Sequence, residues 1–182
     1  MTLDWLIDCS GNRIKMLSLL ALLLTGCVGL PDGVTPIENF QRERYLGKWY
    51  EIARLDHSFE RDLSSVSAEY SLRKDGGVRV INRGYSVKEG KWKDAEGKAY
   101  FVARPDHGFL KVSFFGPFYG SYVIIDLDQK DYSYTLVCGP DKSCLWLLAR
   151  SPHLDEETKQ RLIAKATALG FETGKLIFVQ HR

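Results

Sequence analysis

The most informative segment of the sequence is Gly47-Lys48-Trp49-Tyr50-Glu51-Ile52-Ala53-Arg54, which begins a series of about eight short strand-like segments. A tryptophan at the start of a first strand, two residues after a glycine, can fill one end of a small β-barrel. Arg150 ends the last segment of the series, and its guanidinium can lie over the indole with about 0.5–2 kcal/mol of cation–π attraction. This pairing joins the first strand to the last, as an up-and-down barrel requires.

The composition limits the classes of protein to which this chain can belong. The chain has 182 residues, enough for one domain with a sizeable core, and its 25 basic and 23 acidic residues give a net charge of +2. The sequence contains neither a basic run nor a strong basic excess, so nucleic acid is not an expected partner. An aromatic content of 12% together with 16 glycines favours a β architecture.

The N-terminal segment has the pattern of a targeting signal. Positive charge in Asn12–Lys15 precedes the apolar run Met16–Leu24, which is too short to span a bilayer, and Leu24-Thr25-Gly26-Cys27 follows. Small residues before a cysteine resemble the bacterial lipobox, in which the thiol is acylated and the chain is cut before it. The alternative is an ordinary secretory peptide with an incidental cysteine.

These features predict that the chain has three parts. Residues 1–26 are a lipoprotein signal peptide, residues 27–36 are an anchor and linker that begin with acylated Cys27, and residues 37–182 are the folded domain. In bacterial lipoproteins an aspartate after the acylated cysteine favours the inner membrane. Val28 occupies that position here, so the expected location is the outer membrane, with the domain facing the periplasm.

Two cysteines of the domain flank a short turn. Cys138 and Cys144 enclose Gly139-Pro140-Asp141-Lys142-Ser143, so their Cα atoms can lie within the roughly 4.4–6.8 Å that a disulfide needs. An oxidising periplasm favours the bond, and we predict it. The competing interpretation is a pair of buried thiols.

Alternating hydrophobicity and turn signals predict an all-β fold with one C-terminal helix, arranged as an eight-stranded antiparallel up-and-down barrel. After residues 47–54 the predicted strands are Val66–Leu72, Val78–Arg83, Gly97–Ala103, Leu110–Phe115, Tyr122–Leu127, Tyr132–Cys138 and Cys144–Arg150. Two of them, around 122–125 and 145–148, are apolar on both faces. The amphipathic segment Leu154–Leu169 is therefore predicted to be a helix that covers the barrel wall.

An eight-stranded barrel is either filled by its own side chains or holds one small ligand. The candidate inward-facing residues are Ala53, Ala68, Tyr70, Val80, Val112, Phe114, Tyr122, Leu136 and Trp146. A cavity with this lining suits an acyl chain whose polar head stays near the mouth. A register shift of one residue reverses the set for a strand, and a filled barrel without a ligand is the alternative.

Catalysis and metal binding have little support in the sequence. Common nucleophile, zinc and phosphate-loop motifs are absent, and the four histidines are scattered, so no cofactor, metal or catalytic residue is predicted. The loop Leu55–Leu63 is expected at the barrel mouth, where it can act as a flap. His57 and Arg61 either meet an anionic head group there or form a solvated loop face.

The sequence resembles the lipocalin family, in particular bacterial lipocalins that are outer-membrane lipoproteins. Residues 47–54 are similar to the first family signature, Asp131-Tyr132 to the second with Lys130 in place of the usual threonine, and Arg150 to the third. The runs that resemble the bacterial branch are Tyr70-Ser71-Leu72, Gly97-Lys98-Ala99, residues 111–120 and residues 136–141. The paired cysteines depart from that branch.

The resemblance implies a lipocalin calyx that binds, stores or transports fatty acids such as palmitate, or lysophospholipids, without catalysis. It also implies a role in membrane maintenance under stress, homodimers, and Tyr119 and Trp146 close to the bound lipid. Gly47, Trp49 and Arg150 then have structural roles. The alternative function is that of an enzyme that modifies lipids or isoprenoids on a lipocalin-like barrel.

Overall fold

The computed structural model describes residues 28–181, which form one antiparallel sheet and two α-helices. The helices are α1 (Arg42–Tyr45) and α2 (Glu156–Ala168), and a 3₁₀ turn spans Thr173–Lys175. The strands are β1 (Gly47–Arg54), β2 (Leu63–Leu72), β3 (Val78–Ser86), β4 (Lys91–Phe101), β5 (Phe109–Ser113), β6 (Gly120–Leu127), β7 (Tyr134–Cys138), β8 (Leu145–Ala149) and β9 (Ile177–Phe178).

The sheet closes on itself through β1. Each strand from β2 to β8 pairs with the next, and β1 pairs with β2 through its first half and with β8 through its second. Closure removes the unpaired edges that an open sheet would expose. The predicted eight-stranded up-and-down barrel is therefore confirmed, and the short β9 pairs with Ala53 and Arg54 at the end of β1, beyond the residues paired with β2.

Three strands extend by three or more residues beyond the ends that the sequence predicts, and one of them is β3, which ends at Ser86 instead of Arg83. β2 begins at Leu63 instead of Val66, and β4 begins at Lys91 instead of Gly97. The first six residues of β4 are exposed, yet they remain in register with β3 out to the pair Ser86–Lys91. A strand segment whose side chains are all exposed, as in residues 91–96, has no hydrophobic alternation, so hydropathy could not mark this part of β4.

The closed end of the barrel is built around Trp49. Its indole is fully buried and donates a hydrogen bond from Nε1 to the carbonyl of Tyr45 in α1 (2.8 Å). The guanidinium carbon of Arg150 lies 4.0 Å from the centroid of the Trp49 ring. Arg150 also donates to the carbonyls of Lys48 (2.9 Å) and Arg44 (2.7 Å), so one cation connects the end of β8 with α1 and β1.

Gly47 allows this close approach. Its φ is +92°, a left-handed value that strains residues with a side chain, and a Cβ there would lie 3.4 Å from Nη1 of Arg150. The turn from α1 into β1 therefore requires a glycine at the first position of the sequence motif, because of its backbone conformation.

Helix α2 covers the outer face of the barrel. Asp155 caps its start by accepting a hydrogen bond from the backbone N–H of Thr158 (2.8 Å), and Gly170 follows its end with φ +83°. Leu162 and Ala166 are fully buried against the wall. The outer core that they join comprises Val34, Ile52, Ala53, Leu55, Val123, Ile125, Leu136, Cys138, Leu145, Leu147, Ala149 and Phe171. The predicted helical cover over the doubly apolar strands is confirmed.

The segment before α1 runs along the barrel wall from one end to the other. Near the closed end, the N–H of Phe40 donates to the carbonyl of Asp106 (2.8 Å), and halfway up, the N–H of Ile37 donates to the carbonyl of Ile124 (2.9 Å). At the opposite end, Gly29 is hydrogen-bonded to Ser121 near the start of β6. Within residues 28–181, no helix is both long and apolar enough to cross a membrane.

Replacing Arg150 by alanine is expected to lower the free energy of unfolding by about 1–3 kcal/mol, because the variant loses the cation–π contact and the hydrogen bonds to backbone carbonyls. Urea unfolding followed by fluorescence measures the change. The matched control is Arg83→Ala, which removes a guanidinium lying 4.8 Å from the half-exposed Trp92 ring. Equal losses in the two variants would contradict the role of Arg150 in closure.

Candidate functional site

The barrel encloses a cavity of about 730 Å³ that opens at the end opposite Trp49. Loops between β1 and β2, β5 and β6, and β7 and β8 contribute to its mouth. The apolar wall comprises Val66, Ala68, Val78, Val80, Ala99, Leu110, Val112, Phe114 and Leu148. The barrel is therefore hollow, and the filled alternative does not apply to it.

Most of the inward-facing candidates from the sequence line this cavity. They are Ala68, Tyr70, Val80, Val112, Phe114, Tyr122 and Trp146, and Tyr119 also lines it near the β5–β6 turn. The structure brings them together because they belong to alternating positions on adjacent strands, which face the same side of a sheet.

Ala53 and Leu136 were wrongly placed inside. Both lie in the outer core beneath α2. Strand β1 has a bulge between Glu51 and Ala53, so the alternation that turns Trp49 and Glu51 inward is reversed and Ala53 turns outward. On β7, Thr135 to Cys138 are all buried, so hydropathy gives no indication of which alternate set faces the cavity.

A cluster of three tyrosine hydroxyls marks the deep end of the cavity. The hydroxyl of Tyr122 lies 2.7 Å from that of Tyr45 and 2.9 Å from that of Tyr70. Burial raises the pKa of all three, so the hydroxyls remain neutral at physiological pH. The tyrosine cluster offers hydrogen bonds but no charge, and it therefore suits an uncharged part of a ligand.

Charged residues lie on the wall nearer the mouth. Arg54 is buried and donates from Nη1 to the carboxylate of Glu51 (2.6 Å) and from Nη2 to the carbonyl of Glu60 (2.8 Å). Burial, and next the nearby Glu60 carboxylate, raise the pKa of Glu51 well above its ordinary value. Trp146 donates from Nε1 to Glu60 Oε2 (3.1 Å), which ties the β1–β2 loop to β8.

The β1–β2 loop folds over part of the mouth. The ring of His57 stacks on Phe59 with centroids 4.2 Å apart and contacts Trp146 at 4.8 Å. Burial lowers the pKa of His57, which favours the neutral ring. Arg61 instead lies on the solvated side, where it pairs with Asp56 at 2.8 Å. The loop thus has the position of a flap, and neither His57 nor Arg61 presents a free cation to the cavity.

Sequence reasoning missed Glu51, Arg54 and Glu60. A signal existed for two of them, because Glu51 and Arg54 are charged positions in the second half of β1, which is buried once the barrel closes. Glu60 belongs to a loop without a regular period, so only the folded loop reveals that its carboxylate turns inward.

The predicted disulfide is not formed, and Cys138 and Cys144 are free thiols. Cys138 pairs across the hairpin with Leu145, so Cys144 is one residue out of register with it. Side chains one residue apart point to opposite faces of a sheet, and accordingly Cys138 packs in the outer core while Cys144 lines the cavity. Burial raises the pKa of Cys138 to about 12.

Cys27 and the signal segment lie outside the described residues. Within residues 28–181, the structure contains no group of three or more histidine, cysteine or acidic side chains placed to hold a metal ion. Gly47, Trp49 and Arg150 contribute to the closed end and do not line the cavity.

Comparison with known proteins gives consistent results. A family model described as a lipocalin-like domain matches residues 40–181. The chain is 54% identical to the outer membrane lipoprotein Blc of Vibrio cholerae over 93% of this chain and 99% of that one. It is 56% identical to the protein of the same name from Escherichia coli K12, over 82% of this chain and 84% of that one.

More distant proteins share the fold. The temperature-induced lipocalin-1 of Arabidopsis thaliana is 34% identical over 77% of this chain and 78% of its own length. The solved structure of insecticyanin from the tobacco hornworm Manduca sexta superimposes with a TM-score of 0.66 at 24% identity, covering 85% of this chain and 87% of insecticyanin.

Glu51→Gln is expected to change how stability depends on pH. Because the folded state raises the pKa of Glu51, its contribution to stability is fully present below the unfolded value of about 4.3–4.5 and is lost as pH rises toward the folded value. Relative to the native chain, the free energy of unfolding of the variant should rise by about 1.4 kcal/mol for each pH unit over which the Glu51 carboxyl is ionised only in the unfolded state.

Urea unfolding at pH 5 and pH 8 measures this difference. The control is Glu96→Gln, an exposed carboxylate whose pKa is lowered by the hydrogen bond from Arg79. The contribution of Glu96 is fully present above its unfolded pKa, so the control should lower stability by nearly the same amount at pH 5 and at pH 8. Its difference from the native chain should shrink only below the unfolded pKa. The assignment for Glu51 fails if its variant follows the pH dependence of the native chain.

Alkylation distinguishes the two thiols. In the folded protein without reductant, iodoacetamide is expected to modify the half-buried Cys144 slowly and to leave Cys138 unmodified, because Cys138 is buried. Denaturant should expose both to modification, which intact-protein mass spectrometry detects. Resistance of both to alkylation in denaturant would show a disulfide instead.

Proposed function

The chain belongs to the lipocalin family, in its bacterial outer-membrane lipoprotein branch, and from this premise we propose that its barrel binds single-chain lipids and carries them within the envelope. The ligand classes that we propose are fatty acids and lysophospholipids. The observation that carries the proposal is the apolar cavity of about 730 Å³ inside a closed barrel.

The distribution of charge in the cavity supports an acyl chain with its tail inward. Around the tyrosine cluster the deep end presents neutral hydroxyls and apolar side chains, whereas Glu51 and Glu60 lie closer to the mouth. Arg42 also reaches the lining from α1, but its guanidinium is already paired with Glu43 at 2.7 Å. Burying a charged head group at the deep end would cost free energy that nothing there compensates. The head group therefore lies at the mouth.

Tyr119 and Trp146 are the proposed neighbours of the lipid near that mouth. Tyr119 lies beside two lysines, with Nζ of Lys111 at 5.1 Å and Nζ of Lys98 at 6.0 Å from its ring centroid. An anionic carboxylate or phosphate at this edge can be met by both cations. Trp146 is held by its bond to Glu60, so its indole provides a fixed apolar surface.

The proposed anchor is an acyl-modified Cys27. Residues 1–26 are then the signal peptide that processing removes, and residues 27–36 connect the lipid anchor to the domain. Each buried CH₂ of an attached chain contributes about 0.8 kcal/mol, and two or more chains hold a protein stably on a membrane. The domain is tethered to the outer membrane and faces the periplasm.

The family and the names of the relatives describe lipoproteins and lipocalins and give no support to the alternative of a lipid- or isoprenoid-modifying enzyme. The purpose that we propose is membrane maintenance under stress, by storage or transport of lipids such as palmitate. Homodimer formation also stays a proposal, which sedimentation of the purified protein can test.

Native mass spectrometry of the purified protein tests the function directly. The expected result is a complex with one fatty acid or lysophospholipid per barrel, and incubation with excess lysophospholipid should leave the lipid chemically intact. Hydrolysed or otherwise altered lipid would favour an enzyme, and the absence of any retained lipid would contradict the binding function.

Val80→Trp is expected to fill part of the cavity and to weaken lysophospholipid binding at least about tenfold, which corresponds to 1.4 kcal/mol. The control is Ile81→Trp, because the adjacent residue of β3 faces outward, away from the cavity that Val80 lines. Titration followed by tryptophan fluorescence measures both affinities. Equal weakening in the two variants would place the ligand outside the barrel.

A further inference from the structure

The path of the N-terminal segment fixes where the lipid anchor leaves the barrel. The N–H of Gly29 donates to Oγ of Ser121 (2.8 Å), and the hydroxyl of Ser121 donates back to the carbonyl of Gly29 (2.6 Å). Ser121 is the second residue of β6 and directly follows the turn between β5 and β6, which lies at the mouth. Gly29 is therefore held beside the open end.

Cys27 precedes Gly29 by only two residues. A fully extended chain spans at most about 3.6 Å per residue, so two residues cannot carry the chain more than about 7 Å from Gly29. The acyl chains that we propose on Cys27 thus enter the membrane next to the mouth, while the closed end lies on the far side of the barrel.

We propose that the open end of the barrel docks on the phospholipid surface to which the protein is anchored, so that the cavity opens toward the bilayer. This inference rests on the proposed function, since it takes the acylation of Cys27 and lipid binding as given. The tether alone favours this orientation, and the side chains of the mouth supply a second, independent observation.

The mouth exposes apolar side chains from three separate loops, which we call the apolar rim. It consists of Phe59 (61% exposed), Val87 (60%), Phe115 (79%) and Phe118 (58%). Val28 and Leu30, on either side of the tied Gly29, are exposed as well. Clustered exposed apolar groups mark surfaces that bind other molecules or membranes, whereas single ones need no explanation.

The charge beside the rim suits phospholipid head groups. Three lysines and one glutamate give residues 88–93, at the tip of the β3–β4 hairpin, a net charge of +2. The same tip carries Trp92, which is 47% exposed. Tryptophan is enriched at membrane interfaces, and basic residues are attracted to anionic lipids, so this hairpin can lie against an anionic bilayer.

Docking in this orientation lets a lipid pass from the bilayer into the cavity with little contact with water. A single-chain lipid that leaves the bilayer beneath the mouth can enter the cavity without exposing its whole acyl chain to water, which the hydrophobic effect disfavours. A barrel held with its mouth away from the membrane would have to pass each lipid through the aqueous phase.

Deuterium exchange on the lipidated full-length protein tests the orientation. The protein is reconstituted into vesicles of phosphatidylethanolamine and phosphatidylglycerol, and exchange is followed in the open-end turn 115–119 and in the closed-end turn 73–77. The comparison variant carries about ten Gly and Ser residues inserted between Val28 and Gly29, which releases the short tether.

On vesicles, the native chain is expected to exchange about tenfold more slowly than the insertion variant in turn 115–119 and equally in turn 73–77. Protection of the closed-end turn, equal protection of both turns, or an absence of protection at the open end overturns the proposal. So does full protection of the open end in the insertion variant, because the short tether would then have no part in docking.

A matched pair of substitutions tests the apolar rim. Phe115→Ser should abolish most of the vesicle-dependent protection of turn 115–119, because it removes the most exposed aromatic ring of the mouth. Leu72→Ser removes an apolar side chain that is 50% exposed at the closed end, and it should leave that protection unchanged. Equal effects of the two substitutions contradict docking through the rim.

The lipid affinity of the insertion variant separates this inference from the proposed function. The insertion lies outside the cavity lining, so its affinity for lysophospholipid below the critical micelle concentration should equal that of the native chain. If both chains bind lysophospholipid equally but vesicles do not protect turn 115–119 of the native chain, only the docking orientation is overturned. Failure of the native chain to bind any lysophospholipid would instead overturn the proposed function.

Discussion

The packing of Arg150 over Trp49 is the interaction on which the rest of the structure depends. The contact of 4.0 Å joins the end of β8 to the start of β1, and the hydrogen bonds from Arg150 to backbone carbonyls bring α1 into the same junction. A closed barrel has no free strand edges, and its two ends become different. One end is filled by an indole, so the interior can be open only at the other.

In a closed barrel with one open end, the hydration of an ionisable group depends on its distance from the mouth. Groups near Trp49 are far from water, and burial there keeps the three clustered tyrosines neutral. Near the mouth, burial raises the pKa of the Glu51 carboxyl, and the adjacent Arg54 partly offsets the cost of ionising it. The same gradient of hydration orients an amphipathic ligand, since its charged head loses least hydration at the mouth.

The outer surface is organised by a related constraint. Strands β6 and β8 are apolar on both faces, so the wall that they form needs cover outside as well as inside. Helix α2 covers one part of it, and the N-terminal segment lies along another part, ending at Ser121. The segment that helps to cover the wall also ends beside the mouth, so the packing of the wall and the membrane orientation that we propose have a common origin.

The sequence by itself determined the closed β-barrel, its C-terminal helix, and the apolar character of the interior, because these depend on period-2 patterning and on a few residues with special geometry, such as Gly47, Trp49 and Arg150. Only the tertiary structure decided which face each strand turns inward where both faces are apolar or where a bulge intervenes. Ala53, Leu136 and the pair Cys138 and Cys144 were misjudged for this reason, since a shift of one residue exchanges inside and outside without changing local hydropathy. The position of Glu60, the volume of the cavity and the path from Gly29 to Ser121 likewise depend on contacts between residues far apart in the chain, which no local pattern records.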